Sequence, residues 1–323
     1  MDPKVANYPY LGPKAPVADI CGSVLWGLRV DQVNGDRKQR GWGLTFSERV
    51  STPYGLGPLV NHYKLPRGRE AIWIPSYGAI RGEDLDPSDV QHRLFWILMQ
   101  AGVKVLFVGG TSGTNDWRGL STEESIRPGD FVLPWSFYRG PNMAGTLPDT
   151  GIGGVLPNLA QMASPFCPTL SDWLANYAEQ TGHFRRVHRP KDVRVILRSP
   201  TGGTFESEGE TAAWRVLTKV MSETDNLVYA MLHGDCVSPI LCRHLGIHEA
   251  YFHIAVNWAE GHPATSTDLT ETLDQIYVHD LPQIMLDFGA LVLETIPIPG
   301  PECPCITLLK KRPDVYQDAM TQR

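Results

Sequence analysis

The residues best suited to chemistry are His233 and Asp235, which stand two positions apart in a glycine-containing turn. The turn follows an apolar run, 227–232, and precedes a helix-like stretch, 237–245. Histidine titrates near neutral pH and an aspartate can orient or charge it, so the pair has the chemistry of general acid and base catalysis. The alternative is that His233 only satisfies a buried hydrogen bond.

A second polar strand end lies further along the chain. The apolar run 251–256 ends in Asn257 and Trp258. In parallel α/β sheets, ligands bind at the carboxyl ends of the strands. Two consecutive strand ends with such side chains predict a ligand pocket, and an enzyme is the leading hypothesis.

Metal ligands are sparse in the sequence. His233 and Cys236 are near each other, but no third ligand follows at a suitable spacing. Cys303 and Cys305 form one CxC motif, which either chelates a metal or forms a strained disulfide. Because this motif has no nearby partner pair, we predict no metal site.

Short apolar runs alternate with amphipathic stretches, a pattern typical of a mostly parallel sheet covered by helices. The predicted strands are 17–21, 71–74, 103–108, 131–134, 193–197, 227–232 and 251–256. The predicted helices are 88–101, 170–182, 208–223, 237–245 and 269–293. The glycine- and proline-rich segment 140–157 predicts a long surface loop.

Composition limits the class of protein. The chain has 323 residues, 42% of them hydrophobic, and a net charge of −6 with dispersed basic residues. A sizeable core is expected, and a nucleic-acid partner is not. Residues 1–16 lack the apolar region of a secretory signal, and no apolar run approaches the roughly 20 residues of a membrane helix. Six cysteines are too few for a disulfide scaffold at this length, so a reducing cytoplasm is expected.

Seven segments match motifs of one known family in a consistent order. They are ICGS (20–23), STPYG (51–55), RPGD (127–130), MASPFCP (162–168), GGTFESEGE (202–210), RHLGI (243–247) and TIP (295–297). Together they resemble the purine nucleoside phosphorylase and methylthioadenosine phosphorylase family. Their co-linearity over nearly the whole chain, rather than any one motif, carries the resemblance.

The resemblance implies a single α/β domain with a central mixed sheet flanked by helices. We place this domain at 17–300, between an N-terminal extension (1–16) and a C-terminal tail (301–323). Relatives are often homotrimers with sites close to subunit interfaces, so a homo-oligomer, a trimer or a dimer, is expected. The family breaks the C–N glycosidic bond of a purine nucleoside with phosphate as the nucleophile, and it normally needs no metal or organic cofactor.

Several positions depart from the phosphate site of the family. A phosphate dianion needs converging N–H groups, hydroxyls and at least one Arg or Lys. The RHG motif of the family reads Ser76-Tyr77-Gly78 here, and Thr204 replaces the arginine of GPRF. Two lost cations cost several kcal/mol, since each charge-assisted hydrogen bond contributes roughly 1.5 to 3 kcal/mol. The remaining candidates for contact with an anion are Ser23, Thr111, Thr114 and Arg81.

The pair at 233 and 235 also falls on a family motif. His233 aligns with the methionine of MSTVPE, Asp235 with its threonine and Ser238 with its glutamate. Because a carboxylate repels phosphate, we predict that inorganic phosphate is not a substrate.

The purine side of the site is less altered. Phe205 and Glu206 align with the phenylalanine and the purine-contacting glutamate of the family, and Asn257 aligns with the residue that hydrogen-bonds the purine ring. The resemblance therefore implies that a planar, hydrogen-bonding ligand still fits. Phe205 is equally compatible with a place in the core.

Aromatic residues lie at or beside the changed motifs: Trp26, Tyr77, Trp117 and Trp258. Aromatic faces stabilise cations by roughly 0.5 to 2 kcal/mol each and also shape apolar cavities. Such a pocket favours a bulky organic substrate or a cationic intermediate over phosphate. At least one of the four rings is expected to be core packing.

Three hypotheses follow. The leading one is a small-molecule enzyme with a dismantled phosphate site, a lyase, cyclase or hydrolase of specialised metabolism that acts on a partly apolar substrate by acid–base or cation-stabilised chemistry. Its predicted catalytic residues are His233, Asp235, Asn257 and Arg81. The alternative is cleavage of a purine nucleoside or methylthioadenosine, with phosphate held differently or replaced by water. The third is an inactive ligand-binding relative.

Overall fold

The structure of the protein is a computed structural model. It describes residues 7–25, 27–79, 87–116, 125–138, 158–160, 162–198, 206–224, 228–232, 237–261, 275–307 and 309–311.

The described residues form thirteen strands. Their bounds are Val17–Asp19 (β1), Gly43–Thr52 (β2), Gly55–Lys64 (β3), Glu70–Trp73 (β4), Val105–Asn115 (β5), Phe131–Val132 (β6), Ser136–Tyr138 (β7), Asn158–Ala160 (β8), Val187–His188 (β9), Arg194–Arg198 (β10), Val228–Leu232 (β11), His248–Trp258 (β12) and Leu309–Lys311 (β13). Each predicted strand is present in this set.

The α-helices of the described residues are Val30–Gln39 (α1), Pro87–Ala101 (α2), Pro168–Thr181 (α3), Glu208–Thr224 (α4), Ser238–Leu245 (α5), Leu281–Thr295 (α6) and Pro304–Thr307 (α7). A π-helical turn, Gln275–Asp280, leads directly into α6. The predicted helix 88–101 ends as expected, because Gly102 adopts a φ of 76° and stops the helix after Ala101.

Eleven of the strands form one mixed sheet, which confirms the predicted fold class. Its main order is β2-β3-β4-β1-β5-β11-β10-β7, and β12 pairs with β5 and β6. Strands β4, β1, β5 and β12 are parallel to one another, whereas β11 is antiparallel to β5. The carboxyl ends of β4 and β1 therefore meet along the middle of the longer strand β5.

One edge of β5 is left open in its middle. On this edge β1 pairs with residues 105–107 and β11 pairs with residues 113–115, while β12 covers the opposite edge. Residues 108–112 therefore face a gap between two strands of the same sheet. Such a split between neighbouring strands is where open α/β sheets bind their ligands.

The sequence analysis missed the hairpin of β2 and β3 and the helix α1. Most of β2 is exposed, with only Val50 and Thr52 buried, so it lacks the alternation that identifies a half-buried strand. The turn between the two strands, at Pro53-Tyr54, was identified only as a family motif. Gly55 takes a φ of 108° there, a backbone conformation that favours glycine.

Apolar side chains cover both faces of the sheet. Leu94, Phe95 and Trp96 of α2 pack into one buried cluster. Phe107, Phe131 and Phe252 stack in the other, with ring centroids 5.2 and 4.7 Å apart. These clusters fix the positions of β5 and β12.

One helical stretch, Gln275–Thr295, is long and apolar enough to cross a membrane by length and composition, with a mean hydropathy of 1.2. It includes α6, whose Met285, Phe288 and Val292 are buried against the sheet. These contacts are those of a core helix in a globular protein.

Candidate functional site

The open edge of β5 brings three predicted residues together. Ser23 follows β1, Tyr77 follows β4, and Thr111 lies on β5 itself. The Gly22 N–H and the Tyr77 hydroxyl both donate to the carbonyl oxygen of Gly109, at 3.2 and 2.8 Å. The candidate site is therefore built on backbone that the strands of the sheet hold in place.

Ser23, Thr111 and Tyr277 form a chain of hydroxyl groups. The Thr111 N–H and hydroxyl both donate to Ser23 Oγ, at 3.0 and 2.8 Å. Tyr277 Oη lies 2.6 Å from Thr111 Oγ1, and it donates there because the single Thr111 hydroxyl proton goes to Ser23. The chain of donors therefore runs from Tyr277 through Thr111 to Ser23, whose own hydroxyl proton is at its end.

Tyr277 stays protonated at neutral pH. Burial raises the pKa of its phenol, and the hydrogen bond with Thr111 opposes that rise. The direction of the hydroxyl chain is therefore constant across the neutral range.

Tyr77 covers the turn after β1. A Cβ added to Gly22 would lie only 1.9 Å from Cε2 of the Tyr77 ring. The ring reaches this position because Ser76 and Tyr77 both have positive φ angles, of 52° and 54°. Non-glycine residues in such conformations cost of order 1 to 3 kcal/mol each and cluster at functional sites. The strained turn thus holds an aromatic ring where the RHG motif of the family has cationic side chains.

A buried histidine, His253, lies next to the turn. His253 on β12 contacts Ser112 through Nδ1 and the Tyr251 hydroxyl through Nε2, the latter at 3.0 Å. A Cβ added to Gly110 would lie 2.7 Å from Cε1 of His253 and 2.9 Å from the Tyr77 hydroxyl. His253 and the Tyr77 hydroxyl therefore both lie close to Gly110, where only a glycine fits.

Asp19 and Arg37 form a buried ion pair behind the turn. Arg37 Nη2 lies 3.4 Å from Asp19 Oδ2, and Asp19 Oδ1 accepts the Cys21 N–H at 2.7 Å. Burial raises the pKa of Asp19, and the Arg37 charge opposes that rise. Burial likewise raises the pKa of the Cys21 thiol, with the Asp19 charge adding to the effect. Asp19 therefore fixes the start of the turn that carries Ser23. The charge of Arg37 is already paired with Asp19.

Asn257, Trp258 and Thr114 are neighbours at the far end of β5. Asn257 pairs with Gly113 and Trp258 with Thr114 across the strands. The Asn257 amide donates to the Trp258 carbonyl oxygen at 2.8 Å. Thr114 is fully buried, and its hydroxyl donates to the Ile126 carbonyl oxygen at 3.2 Å. A role in substrate binding for these three residues stays a prediction.

The two strand ends that first indicated a pocket approach β5 from opposite directions. Strand β11 is antiparallel to β5 and its last residue, Leu232, lies opposite Gly113. Strand β12 is parallel to β5 and reaches the same residue with Asn257. The expectation of two parallel neighbours is corrected here, but both strand ends still meet at Gly113.

Glu206 lies at the start of α4 and is buried. Its Oε1 accepts a hydrogen bond from Arg198 Nη1 at 3.1 Å, so its carboxylate is partly neutralised by an ion pair. The predicted contact with a purine ring stays a prediction.

Eight residues named in the sequence analysis lie outside the described residues: Trp26, Arg81, Trp117, Thr204, Phe205, His233, Asp235 and Cys236. Their roles also stay predictions, as does the surface loop predicted at 140–157.

Sequence reasoning missed Tyr277 and His253. His253 falls inside the predicted strand 251–256, which β12 confirms, and Tyr277 falls inside the predicted helix 269–293, of which the structure describes residues 275–293. His253 carries a signal in hindsight, since a histidine within an apolar strand run needs buried partners. Tyr277 carries none, because its contact with Thr111 joins residues 166 positions apart in the chain.

Comparison with known proteins identifies the fold. No family model matches the chain. A segment of 87 residues is 36% identical to a probable S-methyl-5'-thioinosine phosphorylase of Methanothermobacter thermautotrophicus. This segment is 27% of the chain and spans only 28% of the length of that curated relative.

Solved structures cover much more of the chain. A methylthioadenosine phosphorylase from an antarctic soil metagenomic library has a TM-score of 0.65 at 20% identity, with 93% of each chain covered. A methylthioadenosine phosphorylase of Schistosoma mansoni in complex with adenine has a TM-score of 0.66 at 17% identity, with 94% of this chain and 100% of that chain covered. The same enzyme in complex with tubercidin has a TM-score of 0.61 at 18% identity, with coverage of 87% and 93%.

These comparisons confirm the resemblance that the motifs indicated. The chain has the nucleoside phosphorylase fold, and its matched segment is similar to a probable member of the nucleoside phosphorylases.

Proposed function

We propose that this diverged relative of the nucleoside phosphorylases cleaves the C–N glycosidic bond of a purine nucleoside, with water rather than inorganic phosphate as the nucleophile. Two lines support glycosidic cleavage: the matched relative is a probable S-methyl-5'-thioinosine phosphorylase, and the solved structures with the same fold include complexes with adenine and tubercidin.

The position of Tyr77 is the main observation behind the proposal that phosphate is not the nucleophile. Its ring lies against Gly22, and its hydroxyl donates a hydrogen bond to the Gly109 carbonyl oxygen. A dianion at this turn would need converging N–H donors and a cation. Instead, the Thr111 N–H donates to Ser23, and the buried Arg37 is paired with Asp19.

The hydroxyl chain suits a neutral oxygen better than a dianion. It ends in one donor, the Ser23 hydroxyl, and hydrogen bonds in series polarise one another. We assign that donor to a sugar hydroxyl or to the attacking water. In the proposed reaction the water oxygen forms a bond to the anomeric carbon, the C–N bond breaks, one water proton goes to a base on the protein, and the purine leaves with a proton supplied by the solvent or an acid.

The acid and base are proposed to be His233 and Asp235, with Asn257 contacting the purine and Arg81 as the remaining cation near the turn. If neither His233→Ala nor Asp235→Asn changes the rate of base release, this assignment fails.

Neither the matched segment nor the fold supports lyase or cyclase chemistry, which the sequence alone favoured. The altered turn is explained more simply by a change of nucleophile, since that retains the bond cleavage of the relatives. A role in specialised metabolism has no support in these comparisons.

A direct experiment tests the function. The full chain is incubated with methylthioadenosine, adenosine and inosine, each with and without inorganic phosphate, and the free base and the sugar product are measured by chromatography. We expect release of the base that does not depend on phosphate, with the free sugar as the second product. Release that requires phosphate and yields a sugar 1-phosphate would contradict the change of nucleophile. Binding of adenine without release of base from any nucleoside would favour the inactive relative.

We also propose a cytoplasmic homo-oligomer. The cysteines in the described part of the chain form no disulfide with one another, in keeping with a reducing compartment. Val216, Leu217 and Val220 of α4 are exposed apolar side chains, 65%, 46% and 53% accessible, which a second copy would bury favourably. Light scattering coupled to size exclusion measures the mass of the assembly, and a monomer would contradict this proposal.

A further inference from the structure

Four potential metal ligands meet in the core, far from the turn that carries Ser23. They are Cys167 at the start of α3, His248 at the start of β12, and Cys303 and Cys305 around α7. Their side-chain ligand atoms all lie within 4.8 Å of one another. The four residues are between 1% and 5% exposed, so bulk solvent does not reach them.

The distances between these atoms resemble the edges of a tetrahedron. Cys167 Sγ lies 3.6 Å from Cys303 Sγ and 3.7 Å from His248 Nδ1. Cys305 Sγ lies 3.4 Å from Cys303 Sγ and 3.0 Å from His248 Nδ1. Zinc bonds of about 2.3 Å to sulfur and about 2.0 Å to nitrogen place tetrahedral ligands about 3.5 to 3.8 Å apart. Among these four pairs, Cys305 and His248 are the closest, and they must move apart by about half an ångström to fit an ion between them.

The sulfur atoms are too far apart for disulfides, whose S–S bonds are about 2.05 Å long. Thiols are weak hydrogen-bond groups, so three of them around one imidazole nitrogen have little reason to cluster for hydrogen bonding alone. Three thiolates and one histidine, by contrast, form a common ligand set of structural zinc sites.

The surrounding backbone holds the ligands in place. Arg243 donates to the carbonyl oxygens of Ser164 and Pro165, which fixes the segment leading to Cys167. The Ile306 N–H donates to the Cys303 carbonyl oxygen at 3.0 Å, closing the turn that contains Cys305. The Thr169 hydroxyl lies 3.4 Å from Cys303 Sγ, within reach of a thiolate. Such outer contacts orient metal ligands.

Charge also favours a cation-bound state. Three thiolates, a neutral histidine and a divalent ion carry a net charge of about −1. The buried Arg243 lies near the cluster, since it donates to the carbonyl oxygens of Ser164 and Pro165 in the segment that leads to Cys167. Its guanidinium therefore offsets the residual negative charge in the core.

We propose that Cys167, His248, Cys303 and Cys305 bind one zinc ion in a closed, structural site. The three cysteines bind as thiolates after releasing their protons to solvent, and His248 binds through Nδ1. All four positions of the tetrahedron are filled by the protein, which leaves none for a substrate. The site lies at the opposite end of β12 from Asn257, about 30 Å away at roughly 3.3 Å per residue. It fastens the segment around α7 to α3 and to the sheet.

This proposal departs from the sequence-based prediction of no metal site. The CxC motif has no partner pair nearby in the sequence, but folding supplies one. Cys303 meets a cysteine 136 residues away, and Cys305 meets a histidine 57 residues away.

Metal content is the direct test. The full chain is purified under reducing conditions without chelators, reconstituted with zinc, desalted, and analysed by inductively coupled plasma mass spectrometry. We expect about one zinc per chain. The Cys303→Ser/Cys305→Ser variant should hold less than about a tenth of that amount, because two of four ligands are lost. The matched control is Cys242→Ser, a buried cysteine of α5 outside the cluster, which should retain its zinc.

Cobalt(II) provides a test that needs no variant. Replacement of zinc by cobalt(II) in the wild-type chain should give the intense visible bands of tetrahedral coordination and a charge-transfer band from thiolate. Absence of stoichiometric zinc from the reconstituted wild-type chain would overturn the proposal. So would a Cys303–Cys305 disulfide found by mass spectrometry in the reduced preparation, or equal zinc loss in Cys242→Ser. None of these readouts depends on nucleoside cleavage, so the two proposals fail separately.

Discussion

The hydroxyl oxygen of Ser23 accepts two hydrogen bonds from Thr111, one from its backbone N–H at 3.0 Å and one from its side chain at 2.8 Å. The Thr111 N–H and hydroxyl, which could otherwise donate to a bound anion, are therefore already hydrogen-bonded within the protein. Ser23 joins β1 to the open edge of β5 through these bonds, so it is part of the fold as well as part of the candidate site.

Replacing Ser23 with alanine should lower the free energy of unfolding by about 1 to 3 kcal/mol, because two buried donors of Thr111 lose their acceptor. Urea denaturation followed by tryptophan fluorescence measures the change. Ser171→Ala is the matched control, since Ser171 is equally buried but lies on α3, where alanine is a good helix former. We expect a loss below about 0.5 kcal/mol for the control, in line with its helix propensity. Equal losses in the two variants would mean that the contact with Thr111 contributes nothing.

The contact between Tyr77 and Gly22 gives a second prediction. Gly22→Ala should be destabilising or should expel the ring, because the new Cβ would lie 1.9 Å from Cε2 of Tyr77. The double variant Gly22→Ala/Tyr77→Gly should recover most of the lost stability, since it removes the clash and also relieves the positive φ of Tyr77. A thermodynamic cycle over the four proteins measures the coupling between the two residues.

The control for this cycle is Gly35→Ala in α1. A Cβ at Gly35 would meet nothing within 4 Å. Alanine is favoured over glycine inside a helix by roughly 1 kcal/mol, so this variant should be at least as stable as the wild-type chain. If Gly22→Ala behaves like Gly35→Ala, the Tyr77 ring does not occupy the turn.

The fold could be predicted further from the sequence than the site could. Strand β5 illustrates the limit: the sequence predicts a strand that ends at Val108, where two glycines follow, but the strand continues to Asn115. It continues because the missing side chains leave room for its neighbours. A Cβ at Gly109 would lie 2.3 Å from Cζ of Phe252, and one at Gly110 would lie 2.7 Å from Cε1 of His253. Glycines that indicate a turn locally can mark close packing in three dimensions.

The same distinction applies to the candidate site. Ser23, Tyr77 and Thr111 were found because each occupies a motif with a fixed place in the fold. Tyr277 and the cluster of Cys167, His248, Cys303 and Cys305 depend on contacts between distant segments. Periodicity and local motifs carry no information about such contacts.

Acidification should weaken the fold through His62. This residue of β3 has Nε2 3.1 Å from the Lys14 carbonyl oxygen, to which it donates, while Nδ1 contacts the Thr45 hydroxyl oxygen. Burial lowers the pKa of His62 from its ordinary value of 6.5, and the Glu70 charge opposes this only in part. Below pH 6.5 the unfolded chain therefore binds a proton that the folded chain does not, and the free energy of unfolding falls as the pH falls.

Urea denaturation between pH 7 and pH 5 measures this slope. His62→Gln should flatten it, because the proton uptake of the unfolded state at this position is lost. His244, whose pKa burial also lowers, should account for a further part of the slope, so His62→Gln/His244→Gln should be flatter still. A slope unchanged in both variants would show that neither histidine is kept neutral by the fold.

The buried ion pair of Arg37 and Asp19 leads to the last prediction. The Arg37 guanidinium also lies over the rings of Trp42, Tyr63 and Trp73, at 5.2, 4.7 and 4.7 Å from their centroids. Arg37→Met should cost about 3 to 5 kcal/mol of folding free energy, because it leaves the Asp19 carboxylate buried without its counter-ion. Asp19→Asn added to Arg37→Met should restore part of that loss, since no buried charge then remains.

Arg29 and Asp31 form the matched control pair, 72% and 70% exposed, and Arg29→Met should leave the denaturation midpoint unchanged. Because Asp19 Oδ1 also holds the turn that carries Ser23, the loss in Arg37→Met should be accompanied by weaker binding of adenine, a base that the proposed reaction would release, measured by calorimetry under conditions where the variant is folded. A variant that loses stability but binds adenine as the wild-type chain does would show that the ion pair supports the core without shaping the site.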